Sequence, residues 1–144
     1  MAELVVRAVP LEQTRALRRS VLRPRQTLEQ VAAREPDDAH AVGAFADGDL
    51  VAVGFVIRDG ELGAWRIRGM ATAPAARGRG AGTAVLDALV RYAIAQGAKR
   101  IWCNARTPAR AFYERGGLRV VSDEYEEHES GPHFVMELRA GVGG

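Results

Sequence analysis

Arg77-Gly78-Arg79-Gly80-Ala81-Gly82 stands between a run that reads as a strand and a run that reads as a helix. Upstream, Glu61 to Ala73 alternates in part, with Trp65, Ile67, Gly69 and Ala71 opposite Arg66, Arg68 and Met70. That pattern predicts a long strand, closed by Pro74. Downstream, Val85, Leu86, Leu89, Val90, Ala93 and Ile94 recur at helical spacing, predicting a helix over Thr83 to Gln96 stopped by Gly97. A helix start has unpaired N–H groups and the positive end of its dipole, so it favours an anion. Glycines let the backbone approach that anion and take turns that a Cβ forbids. Arg77 and Arg79 can add charge-assisted bonds. The hexapeptide reads as a phosphate cradle; a plain flexible turn is the alternative.

Two familiar anion loops fit it poorly. A P-loop ends in Gly-Lys-Ser/Thr, and no lysine is present here. A dinucleotide fingerprint needs a third glycine where Thr83 stands, and an acidic residue about twenty positions on, near Asn104.

The rest of the chain reads as mixed α/β. Leu4 to Val9 is a valine-rich strand, and Leu11 to Leu22 carries a loose helical stripe ended by Pro24. Thr27-Leu28-Glu29-Gln30 has the form of a capping box, opening a short helix to about Arg34. His40 to Ala46 and Leu50 to Ile57 are β-like runs joined by the turn Asp47-Gly48-Asp49. Ile101 to Cys103 is a short strand, Pro108 to Arg115 a brief helix, and Leu118 to Val121 and His133 to Leu138 are two last strands. The acidic segment Asp123 to Glu129 between them reads as a solvated hairpin that could also attract a cationic amine. Residues 1–140 are expected to form one domain, and 141–144 a disordered tail.

Composition excludes several classes. At 144 residues, with 47% apolar and 26% charged side chains, the chain suits one hydrophobic core. Nineteen arginines stand against one lysine, yet the net charge is only +2 and the arginines are spread along the chain. That favours a local pocket for an anion over a nucleic-acid surface. The single Cys103 excludes an internal disulfide and reads as a buried small hydrophobe. Met1 to Pro10 lacks the form of a secretory signal, and no apolar run approaches membrane-span length. A cytoplasmic protein without membrane or metal partners is expected.

Arg77, Gly80 and Gly82 match Arg/Gln-x-x-Gly-x-Gly/Ala, placed after a long strand and opening a helix. The loop so placed resembles the acyl-CoA loop of the GCN5-related N-acetyltransferase (GNAT) superfamily. Ile67 to Pro74 looks like that family's fourth strand, Ile101 to Asn104 like its fifth, and Ala109 to Leu118 like its A-x-x-F-Y-x-x-x-G-F element, with Leu118 replacing the usual Phe. Gly131 to Met136, and more weakly Leu17 to Pro24, resemble a group of small, mostly uncharacterised members. The likeness covers more than half of the chain.

The resemblance implies an α+β acyl-CoA N-acyltransferase fold, with a mixed, mostly antiparallel sheet of about seven strands and helices on both faces. It implies acetyl-CoA as donor, CoA as product, and a small-molecule or peptide amine as acceptor. It leaves room for a homodimer. The main chain of Met70, Ala71 and Thr72 is expected along the pantetheine arm. Arg77, Gly78, Arg79, Gly80, Ala81, Gly82 and Thr83 are expected at the pyrophosphate, with Asn104 and Phe112 also at the cofactor. Asn104 could instead contact the acceptor or cap a turn. Tyr113 matches the tyrosine that protonates the departing thiolate, a role suited to a phenol that stays protonated at neutral pH; closing the core is its alternative. His133 either touches the acceptor, moves a proton, or merely starts a strand. Candidate bases are Glu61, Glu124, Glu126, Glu127 and His133. Arg66 and Arg68 need partners on a strand, supplied by Asp59 or Glu61, or by a carboxylate on the acceptor. A non-catalytic acyl-CoA-binding or partner-binding module, and a nucleotide-binding regulator, are the competing classes.

Overall fold

Alternating apolar runs make the sheet, and one break in the alternation shapes the site. The computed structural model describes residues 3–140; the expected tail, 141–144, lies outside them. Strands β1 (Leu4–Val9), β2 (His40–Ala46), β3 (Asp49–Arg58) and β4 (Ala64–Thr72) run as an antiparallel meander. The β2–β3 turn is tight because Asp47 and Gly48 both take positive φ, 51° and 85°, as a two-residue hairpin requires. Next to β4 lies β5 (Arg100–Arg106), in parallel. Further on, β6 (Arg119–Val120) and β7 (Tyr125–Glu127) both pair with β8 (Gly131–Arg139), which runs antiparallel along β5.

The sheet is thus mixed and mostly antiparallel, as expected, with eight strands rather than about seven. The additional strand, β7, comes from the acidic segment. That segment is a hairpin with β8, but a docked one.

Helices cover both faces. On one face lie α1 (Arg15–Leu22) and α2 (Leu28–Ala33). The predicted capping box opens α2: Gln30 N–H donates to Thr27 Oγ1 at 3.0 Å, and Thr27 N–H donates to Gln30 Oε1 at 2.8 Å. On the other face lie α3 (Ala81–Ala95) and α4 (Arg110–Arg115). Alternation along β3 separates the two cores: Val56 packs with Val85, Leu86 and Leu89 of α3, whereas Phe55 and Ile57 pack with Val9 and Phe45 on the face of α1. Among the described residues, no helix is long and apolar enough to cross a membrane.

Strict alternation would put Arg66, Arg68 and Met70 on one face. The structure corrects this. Gly69 and Met70 of β4 together face Gly54 of β3, a β-bulge, and Gly69 takes φ of 67°. A Cβ on Gly69 would lie 2.6 Å from the Phe55 ring, so glycine is required twice over. The extra residue turns the Met70 side chain to the α3 face, where its sulfur lies over Gly54. Arg66 and Arg68 stay on the face of α1.

Candidate active site

Strands β4 and β5 pair only from Ala64–Arg66 to Arg100–Trp102. Past that point β4 continues to Thr72 and β5 to Arg106, each still paired on its outer side. Two parallel strands therefore diverge toward their C-terminal ends, and the bulge at Gly69 lies in the diverging part. Backbone groups on the inner edges of the gap have no strand partner.

The predicted phosphate loop follows β4 after one short 3-10 turn, Pro74–Ala76. Gly78 and Gly80 have φ of 81° and 84°, and a Cβ on either would meet nothing within 4 Å. The loop thus presents backbone to open space. Gly80 is the N-cap of α3 in left-handed conformation, with no side-chain cap, so the first N–H groups of the helix remain available. Arg77, Arg79 and Thr83 are exposed around them, while Ala81 and Gly82 are buried. Gly82 is held for a different reason: a Cβ there would come 2.9 Å from Thr72 Oγ1 and 3.4 Å from the Phe112 ring. Thr72, Gly82 and Phe112 therefore join at the open end of the gap. This cradle fits a diphosphate by charge and by space.

A cleft of about 530 Å³ opens on the face of α1. Met70, Asn104, Tyr113 and His133 line it. Tyr113 is only 8% exposed and belongs to the core on the α3 face, yet it reaches this cleft on the opposite face. The gap between β4 and β5 allows one side chain to serve both. Burial pushes the Tyr113 phenol well above its ordinary range, so it is held protonated at neutral pH.

His133 is buried at 6% exposure. Its Nδ1 lies 2.8 Å from Gly131 O. A carbonyl can only accept, so in the neutral ring Nδ1 carries the proton and Nε2 keeps a lone pair. Of the five candidate bases, only Glu127 and His133 line the cleft. Glu61 reaches Arg100, and Glu124 accepts a bond from Thr107 Oγ1 at 2.7 Å.

Asn104 is oriented by a residue that pattern reading missed. Tyr125 Oη donates to Asn104 Oδ1 at 2.8 Å, and the Tyr125 ring stacks on His133 with centroids 5.8 Å apart. The available signal was one aromatic inside an acidic run. Glu35 was also missed. It accepts from Arg15 at 2.7 Å and also pairs with Arg18, fixing Arg18 in the cleft floor. Arg66 meets Asp59 at 3.4 Å, as one alternative had it, and lies over Trp102. Among the described residues, Arg68 bonds only the carbonyl of Arg34, at 3.3 Å, and lies over Phe55. Cys103 is sealed in the core, its thiol pushed up to about 12 by burial, which leaves it inert at neutral pH.

An open cradle at a helix start follows two diverging strands, and sequence comparison supplies the family. The model of the acetyltransferase (GNAT) family matches residues 8–118. The chain belongs to the GNAT acetyltransferase family. A Bacillus subtilis relative, the uncharacterised N-acetyltransferase YitI, is 29% identical over 140 residues, covering 92% of this chain and 94% of the relative. A putative N-acetyltransferase from Lactobacillus plantarum superposes with a TM-score of 0.77 at 22% identity, over 95% of this chain and 97% of that one. An aminoglycoside 6'-N-acetyltransferase complexed with coenzyme A superposes with a TM-score of 0.75 at 14% identity, over 94% and 96%. As a GNAT protein the chain is an acyltransferase of a fold that binds acyl-CoA. The family match ends at Leu118, whereas His133 and Tyr125 lie beyond it.

Proposed function

We propose that the protein transfers an acetyl group from acetyl-CoA to a primary amine by direct attack, with residues 1–140 as one catalytic domain in the cytoplasm. The observation that carries this reading is Tyr113, which closes the α3-face core yet lines a cleft on the opposite face, beside the gap that leads to the open cradle at Gly78–Gly82. Acetyl-CoA supplies an activated thioester, so no nucleophile on the protein is needed.

The chain's own groups do the rest. The N–H groups that open α3, with Arg77 and Arg79, hold the diphosphate. The inner edge of β4 at Met70, Ala71 and Thr72 offers main-chain partners to the amides of the pantetheine arm, and Asn104 and Phe112 border it. The amine reaches the acyl carbon from the cleft on the α1 face. His133 Nε2 is the base that takes its proton as the new C–N bond forms. The C–S bond breaks, and Tyr113 gives its proton to the departing sulfur. Binding both partners across the gap supplies proximity.

Calorimetry with acetyl-CoA, followed by a thiol-release assay over a panel of primary amines, tests the reading. Saturable acetyl-CoA binding with amine-dependent thiol release is expected. Absence of donor binding overturns the reading; donor binding without thiol release for any amine reassigns the protein as a binding module.

A further inference from the structure

Charge in the cleft is one-sided. Arg18, Arg23, Arg34, Arg66, Arg68 and Arg106 line it, against two carboxylates, Glu127 and Glu129. The arginines come from several elements, and the partners they find are few. Arg18 shares Glu35 with Arg15. Arg23 meets Glu129 only at 3.7 Å. Arg68 and Arg106 each donate to a neutral carbonyl, of Arg34 and of Leu22, at 3.3 and 3.2 Å. Among the described residues, Arg34, Arg68 and Arg106 have no carboxylate within ion-pair distance. Arg18 Nε and Arg66 Nε are buried donors without an acceptor.

Half-buried like charges repel and lose hydration, a cost that a protein normally offsets with counter-charges. Arg68 shows both effects: burial first, then Arg66, Arg18 and Arg34, lower the affinity of its guanidinium for its proton. Arg23 is lowered by burial and then by Arg34 and Arg106. Two groups of like charge thus overlap at Arg34. One compact anion cannot serve both; an extended anion with more than one acidic group can. Guanidinium forks suit carboxylates, which they bind through two parallel bonds. Tyr113, Glu127 and His133 line the same cleft, where the amine would lie.

We infer that the acceptor is an amino-carboxylate, a primary amine bearing carboxylate groups that seat on Arg68 and Arg106 with Arg34 and Arg66 beside them. The inference rests on the acyl-transfer reading above and adds the class of acceptor to it. Arg68 and Arg106 are then specificity-determining residues.

The test uses the whole protein and a non-reactive probe. Glutarate is titrated by calorimetry, with glutaramide as its neutral twin and inorganic phosphate as a compact anion, at fixed ionic strength and with CoA either present or omitted. Glutarate is expected to bind about tenfold or more tightly than glutaramide, and Arg68→Gln and Arg106→Gln each to weaken it by about tenfold. Thermal melts without ligand show whether either variant folds. The comparison of twins on the unaltered protein depends on neither. CoA binding in the same series reports separately on the donor reading. Glutaramide binding as tightly as glutarate overturns the inference. With CoA present to fill the cradle at Gly78–Gly82, phosphate binding more tightly than glutarate also overturns it and reassigns the cleft to a phosphorylated acceptor.

Discussion

Tyr125 Oη donates to Asn104 Oδ1 at 2.8 Å and so fastens the β7–β8 hairpin to the strand edge beside the cleft. The same ring stacks on His133, so one side chain orients two others. Tyr125→Phe keeps the ring and removes the donor. It is expected to cost about 1 kcal/mol of stability, to raise KM for the amine through His133, and to raise Kd for acetyl-CoA through Asn104. Urea melts and steady-state kinetics with each substrate varied check the three parts. An unchanged acetyl-CoA Kd beside a raised amine KM would place Asn104 at the acceptor instead.

Tyr113→Phe removes only the phenolic hydroxyl. A general acid contributes on the order of 100-fold or more, so kcat should fall by about that factor while Kd for acetyl-CoA stays within about twofold. Single-turnover measurement keeps product release from masking the effect. Unchanged turnover with chemistry rate-limiting would reduce Tyr113 to a core residue.

Gly82→Ala places a methyl 2.9 Å from Thr72 Oγ1. Overpacking of this kind costs about 1–3 kcal/mol. The start of α3 must shift, so acetyl-CoA Kd should rise together with a fall in Tm. Gly78→Ala meets no neighbour but carries φ of 81°; holding Ala left-handed costs about 1–2 kcal/mol. Thermal melts and calorimetry on both variants separate the steric from the conformational effect.

Acid should loosen the fold through two carboxylates. Burial alone would raise Glu137, but bonds from Arg100 and Arg139 hold it below its ordinary 4.5. For Glu35, burial is likewise outweighed by Arg15 and Arg18. A depressed native value means that the unfolded chain binds more protons near pH 4. This stabilisation is therefore full above the ordinary value and is lost as pH falls through the native one. Urea melts from pH 7 to pH 3 should show a steeper loss for the wild type than for Glu137→Gln, which starts less stable at pH 7.

Periodicity carried most of the fold. Apolar spacing in Val85 to Ile94, the turn at Asp47-Gly48 and the capping box at Thr27 are local signals, and each became the element it predicted. The cradle was legible because glycine conformation and helix polarity are local too. The bulge at Gly69 was not, because its cause is a partner strand distant in sequence: Gly54 opposes two residues of β4. The same holds for Glu35 beneath Arg18 and for Tyr125 beside Asn104, whose sequence separations of 17 and 21 carry no periodic signal. An arginine excess was visible in composition, but its convergence on one cleft depends on how α1, α2, β4 and β5 meet.

The short pairing of β4 with β5 gives the sheet the form of a book with a brief spine. One leaf, β1–β4, carries the phosphate loop and the Arg66–Arg68 wall; the other, β5–β8, carries Asn104, His133 and Arg106. A donor bound in the proposed site would lie between the leaves and touch both. The separation of the leaves then sets how far His133 stands from the Arg66–Arg68 wall proposed to seat the carboxylates of the acceptor. Donor binding that altered that separation would be coupled to acceptor affinity, and the coupling would be reciprocal.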